Sequence, residues 1–171
     1  LGADIHATNK DGNTLLHQAA ERSKNVGVVK HLVSLGLDVH AKNNDGVLPL
    51  HFAAKNDNLE IAQYLVSLGV DIHAKTAKRN SLFLVEGQTP LHFAAQNRNV
   101  EIAKYLVSRG ADVLARDGKN QTPIDLAAMV NDNAEVVNYL ASFGEDVHAK
   151  DKNGQTLLHR AAWNGNLEVV K

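Results

Sequence analysis

The sequence predicts an all-α solenoid: stacked helix–turn–helix units, each followed by a projecting β-turn finger. Three observations predict it. One block recurs five times, beginning at Thr14, Leu48, Thr89, Thr122 and Thr156, and reads Thr-Pro-Leu-His-Phe-Ala-Ala over residues 89–95. The steps between blocks are 34, 41, 33 and 34 residues, a period that belongs to stacked repeats rather than to one globular core. Finally, an Asn and a Gly spaced 11 residues apart bracket a second apolar segment in four copies, from Asn25 to Gly36, Asn58 to Gly69, Asn99 to Gly110 and Asn133 to Gly144.

The first helix of each unit starts at its block. Thr14, Thr89, Thr122 and Thr156 stand at the N-cap, where a hydroxyl can accept from the free N–H groups of the first turn. Pro49, Pro90 and Pro123 occupy the first helical position, where a missing N–H costs nothing. Leu91, Ala94 and Ala95 are spaced i, i+3, i+4 and share one face, and the small alanines let a neighbouring helix approach.

The second helix starts at Asn25, Asn58, Asn99, Asn133 and Asn166, each a good N-cap. Glu60, Glu101, Glu135 and Glu168 follow two residues later, where a carboxylate favours the positive end of the helix dipole. Its apolar face reads Ile61, Ala62, Leu65 and Val66 in one copy and Ile102, Ala103, Leu106 and Val107 in the next. Gly36, Gly69, Gly110 and Gly144 can take the left-handed conformation that ends a helix. A short extended piece is expected after each, as over residues 111–115, leading to a turn at Gly12, Gly46, Gly87 or Gly154.

The Thr-Pro-Leu-His-x-Ala core at this period resembles the ankyrin repeat, over essentially the whole chain. The resemblance implies an ankyrin-repeat α-solenoid in which fingers and first helices line a concave groove while second helices form the convex back. It implies protein–protein recognition without catalysis or cofactor. The expected organisation is a single solenoid over residues 1–171, with about four repeat-length units and partial repeats at both ends. The chain starts and stops in mid-repeat, which reads as a piece of a longer array. Uncapped termini would then allow end-to-end contacts. Two other readings stand beside recognition: a targeting or regulatory arm of a larger enzyme, effector or toxin, and a structural spacer or assembly element.

Several departures from the repeat pattern carry expectations. The 41-residue step places a finger insertion near residues 76–86, with basic Lys78 and Arg79 and the apolar run Leu82-Phe83-Leu84-Val85. It is either a binding element or a loop folded onto Val47 and Leu48. Leu48 cannot cap as Thr does. Asn120 replaces a turn Gly, and Asn enters left-handed space more readily than most residues. Asp57 and Arg98 replace a helix-ending Gly, and Arg98 is expected to be strained there.

Composition bounds the function. A formal charge of −1 offers no basic excess for nucleic acid. No apolar run reaches the length of a membrane span, so no membrane insertion is expected. With no Cys and no visible signal peptide, an intracellular, cytoplasmic setting is expected, a secreted effector or toxin being the alternative. Eight of the nine histidines fall into repeat positions, and His31 is left over. His17, His51, His92 and His159 belong to the block; His6, His40, His73 and His148 sit at the finger position. No two lie three to five residues apart, so they read as structural hydrogen-bonding groups rather than metal ligands. The finger rings are expected to satisfy the turn backbone. The resemblance adds an alternative, hydroxylation by an iron and 2-oxoglutarate enzyme, which in the family falls on an Asn at this position. No phosphate-binding loop, nucleophile elbow or carboxylate pair is present.

The residues just after each Ala-Ala pair differ freely between copies: Glu21 and Arg22, Lys55 and Asn56, Gln96 and Asn97, Met129 and Val130, and Trp163 and Asn164. The resemblance places them on the groove. Of these, Lys55, Asn56, Gln96, Asn97, Met129 and Trp163, with Lys78, Arg79 and Phe83 of the insertion, form the candidate partner-binding set. Trp163 is either an anchor for the partner or an aromatic covered by a following repeat. Because Lys55, Lys78 and Arg79 are basic, a partner protein of some acidic character is expected.

Overall fold

The computed structural model describes residues 4–77, 85–130, 134–144 and 146–171. Its helices run in pairs: α1 (Leu15–Arg22) with α2 (Val26–Ser34), α3 (Pro49–Lys55) with α4 (Leu59–Ser67), α5 (Pro90–Ala94) with α6 (Glu101–Ser108), α7 (Pro123–Ala127) with α8 (Ala134–Ala141), and α9 (Leu157–Trp163) with α10 (Leu167–Val170). The described residues contain no strand, so the chain is all-α as predicted.

Each layer of the core is small. Leu91, Ala94 and Ala95 of the third block are fully buried, as are Ile102, Ala103 and Leu106 of its second helix. Leu50, Ala53 and Ala54 repeat the pattern one layer earlier with Ile61, Ala62 and Leu65. Side chains this short let helices of adjacent repeats approach closely, and burying each Leu or Ile contributes about 1.5–3 kcal/mol.

The block histidine joins one layer to the next. His92 Nδ1 accepts the Thr89 N–H at 3.1 Å, so the ring proton lies on Nε2, which donates to the Gln121 carbonyl of the next finger at 3.1 Å. His17 and His51 do the same, reaching Val47 at 2.9 Å and Ala74 at 3.1 Å. The histidine thus fills the place of Glu in a capping box. Most of the threonine hydroxyls do not accept from the helix as expected. Thr14 accepts only a 3.5 Å contact from the His17 N–H, and the hydroxyls of Thr14, Thr89 and Thr156 donate to Nδ1 at 2.9, 2.9 and 2.8 Å. The ring also serves Leu48, which has no polar side chain of its own. Burial holds all three interior rings neutral, lowering the pKa of His17 and His92 and taking His51 down to about 4.

The second helices begin where the Asn residues predict. Asn25 accepts from the Gly27 N–H at 2.8 Å and Asn58 from Ile61 at 3.4 Å. Asn99 accepts from Glu101 at 3.0 Å, although α6 has Val100 at its N-cap position. Asn133 lies outside the described residues. Asn166 makes no cap bond and instead donates to the Val130 carbonyl of the preceding repeat at 3.1 Å. The four helix-ending glycines have φ of 89, 81, 96 and 78°.

Three local expectations are corrected. The segment after each Gly is a turn, not an extended piece. Asp4, Asp38, Asp71, Asp112 and Asp146 each accept from the backbone N–H two residues on, at 2.8–2.9 Å. With no neighbouring strand to pair with, the backbone closes on its own side chain. The Asp therefore satisfies the turn, and the rings of His6, His40, His73 and His148 are exposed instead of doing so. Arg98 escapes the strain expected of it. Asp57 and Asn120 take positive φ, 57 and 62°, but Arg98 does not, because α5 stops at Ala94 and the chain unrolls through i→i+3 turns at Gln96 and Asn97.

Successive fingers are joined through their backbones. The Asn44 N–H donates to Asp11 at 2.9 Å, Ala77 to Asp45 at 2.8 Å, Gly118 to Glu86 at 2.7 Å and Lys152 to Lys119 at 3.3 Å. This approach explains Gly46: its φ is 71°, and a Cβ there would lie 2.8 Å from the Ala77 nitrogen. The insertion leaves and rejoins the row through Thr76. Its hydroxyl donates to the Val85 carbonyl at 2.8 Å and accepts the Gln88 N–H at 2.9 Å. Residues 78–84, including Lys78, Arg79, Phe83 and most of the apolar run, lie outside the described residues.

Candidate functional site

Three hollows lie where fingers meet first helices. The first, of about 580 Å³, is lined by Asp11 and Asp45 of the first two fingers, by Glu21, Arg22 and Lys55 at the ends of α1 and α3, and by Val47, Phe52 and Phe93. The second, of about 200 Å³, is lined by Lys55, Phe93, Gln96, Lys119 and Met129, with Val85 at the root of the insertion. The third, of about 230 Å³, is lined by Met129, Gln155, Arg160, Trp163 and Asn164. The first two share Lys55 and Phe93, and the last two share Met129, so together they run on as one groove.

The described candidates divide between groove and framework. Lys55, Gln96, Met129 and Trp163 line the groove and are exposed, Trp163 to 87%. Their positions follow from the helix period. Each stands about a turn beyond the buried core face, at or just past the end of a first helix, where nothing in the repeat dictates the side chain. Asn56 and Asn97 are committed locally. Asn56 donates to the Phe52 carbonyl at 3.0 Å, capping the end of α3. Asn97 is half-buried and donates to the Ala54 carbonyl of the preceding repeat. Lys78, Arg79 and Phe83 fall in the segment not described.

Other residues lining the groove were not singled out from the sequence. Asp11 and Asp45 stand immediately before the turn glycines Gly12 and Gly46. The equivalent residues farther along are Glu86, Lys119 and Asn153. This position varies in charge between copies, and that variation was the available signal. The edge expected to combine basic Lys55, Lys78 and Arg79 with neutral Gln96 and Asn97 also has an acidic part: beside Lys55 the first hollow carries three carboxylates.

The junction between α7 and α9 departs from the histidine pattern. Asp125 replaces the block His and still accepts the Thr122 N–H at 3.0 Å, but it has no donor for the next finger. Arg160 stands where Phe52 and Phe93 pack edge-on against His17 and His51, with ring centroids 6.0 and 5.1 Å apart. Its guanidinium is 3% exposed. It lies 3.6 Å from Asp125 and 2.5 Å from Asp151, whose side chain is 1% exposed. An ion triad thus does here what a neutral ring and a phenyl group do elsewhere.

Among the described residues no group of three His, Cys, Asp or Glu side chains is placed to hold a metal, and no helix is long and apolar enough to cross a membrane. Comparison with known families matches residues 1–76 to the family described as ankyrin repeats (3 copies), residues 86–118 to the family described as ankyrin repeat, and residues 126–171 to the family described as ankyrin repeats (many copies). The gap between the first two matches coincides with the finger insertion. No curated protein matches the chain.

Proposed function

This chain belongs to the ankyrin-repeat family, and on that premise we propose that it holds a segment of a partner protein along the groove between its fingers and first helices. Ankyrin repeats are in general protein–protein interaction modules, typically without catalysis. The observation that carries the finer reading is the continuity of the three hollows, the first two sharing Lys55 and Phe93 and the last two sharing Met129. A continuous trough with an aromatic floor and exposed polar walls suits an extended segment held by a few anchors. It gives little enclosure for a small substrate, which a ligand pocket usually buries by 70–90%. We assign no reaction and no cofactor to these residues.

The reading is tested on a partner recovered by affinity capture and identified by mass spectrometry. Lys55, Gln96, Met129 and Trp163 are changed together to Ala, sparing Asn56 and Asn97 because they hold backbone carbonyls. The expected loss exceeds tenfold in affinity, about 1.4 kcal/mol. Changing Gln63 and Lys104 on the second helices is expected to do little. If the second-helix changes weaken binding and the groove changes do not, the assignment fails.

A further inference from the structure

We propose that the groove selects its partner by segregated charge: an extended segment with a basic stretch over the first two fingers and an acidic stretch over the fourth. The inference rests on the groove reading above and adds the chemistry of the occupant.

The finger position before the turn residue runs Asp11, Asp45, Glu86, Lys119. Asp11 and Asp45 line the first hollow. Glu21 and Arg22 in that hollow face each other at 3.5 Å and offset one another. Among the described residues Asp11 and Asp45 make no ion pair. Among the described residues the charged groups lining the second hollow are Lys55 and Lys119, and neither makes an ion pair there. Glu86, whose finger falls between, lies against Gly118 and lines neither hollow. Lys55 and Phe93 mark the boundary, so an apolar floor separates two walls of opposite sign.

The spacing makes this a pattern rather than a single pair. Stacked repeats advance by about 10 Å each, so the midpoint of the first two fingers lies about 25 Å from the fourth. That exceeds the screening length of about 8 Å at physiological salt, and each end acts on its own. At about 3.3 Å per residue, an extended segment spans the distance in seven or eight residues. A segment of one sign throughout meets like charge at one end in either direction, whereas the segregated segment laid in the opposite direction meets it at both. The arrangement therefore specifies direction as well as partner.

The probe is a displayed library of random peptides of about 16 residues, twice that span, selected on the intact chain at about 0.15 M salt. A parallel selection uses the chain with Asp11→Asn, Asp45→Asn, Lys55→Gln and Lys119→Gln, whose folding is checked by its urea midpoint. Peptides enriched on the native chain are expected to carry a Lys/Arg cluster seven or eight residues from an Asp/Glu cluster, with an apolar residue between. Neutralising the two aspartates is expected to weaken such a peptide about tenfold or more. That loss should vanish for a peptide whose basic half is replaced by Gly and Ser. Equal enrichment on the two chains, or enriched peptides of one sign or none, overturns the proposal. If enriched peptides ignore Gln96→Ala and Met129→Ala but respond to changes at Gln63 and Lys104, the groove reading itself falls. Groove binders without segregated charge sink only the present inference.

Discussion

Replacing Arg160 by Met tests the junction between α7 and α9 most directly. Met keeps much of the side-chain length and removes the charge, leaving Asp125 and Asp151 without a counterion. Asp151 is 1% exposed and its other oxygen is occupied by the Asn153 and Gln155 N–H groups at 2.8 Å each. Removing one member of a buried ion pair costs about 3–5 kcal/mol. Asp125 is 13% exposed and keeps its bond to Thr122, which places the expected loss near the lower end, about 3 kcal/mol. For a chain of this length each kcal/mol lowers Tm by about 2–4 °C, so the fall is about 6–12 °C. The companion variant changes both partners to what the earlier repeats use, Asp125→His with Arg160→Phe. That pair can rebuild the edge-on ring contact of His51 with Phe93 and the bridge to the next finger. Asp151 then resembles Asp117, whose free oxygen receives only a 3.4 Å bond from Gln88. The double variant is expected within about 1 kcal/mol of the native chain. Differential scanning calorimetry with urea titration reads both. The reasoning is refuted if Arg160→Met is neutral, or if the double variant is less stable than the single one.

The neutral histidines predict an acid-side loss of stability. The folded-state pKa of His17, His51 and His92 lies below the ordinary 6.5, so the unfolded chain binds more protons as pH falls. Their contribution is complete above about pH 6.5 and declines as pH falls toward the folded value, about 4 for His51. For His51 alone the gap amounts to about 3 kcal/mol. Urea midpoints measured from pH 7 to pH 4.5 should fall, and His51→Gln should show a shallower fall from a lower start; parallel curves would count against the ring as the cause. The glycines supply a paired contrast. Gly46→Ala meets the Ala77 backbone at 2.8 Å as well as the cost of positive φ, whereas Gly36→Ala at φ 89° meets nothing within 4 Å. Gly36→Ala is expected to cost about 1 kcal/mol from backbone strain and Gly46→Ala about 3 kcal/mol. Equal losses in thermal melts would contradict the close packing of the finger row.

The sequence by itself determined the repeat, its helix pairs and the buried face of each helix. Those features rest on interactions within a few residues: Pro90 opens a helix, Asn58 caps the next, and the i, i+3, i+4 spacing of Leu91, Ala94 and Ala95 defines a face. It also pointed to Lys55, Gln96, Met129 and Trp163, because positions the core leaves unconstrained vary between copies. Tertiary structure alone decided what happens between repeats. His92 looks the same in the sequence whether its ring binds metal, a cap or the next finger, and only the Gln121 carbonyl across the layer distinguishes them. Asn97 looked like a groove residue until the Ala54 carbonyl, 43 residues away in the chain, occupied its amide. Nothing in the sequence links Asp125 to Arg160, and stacking brings them into one ion triad with Asp151. Local chain chemistry acts through neighbours in sequence and can be read from it. Contacts across a stack depend on which backbone carbonyls and charges the superhelix brings within about 3 Å, a distance that hydrogen bonding resolves and spacing does not.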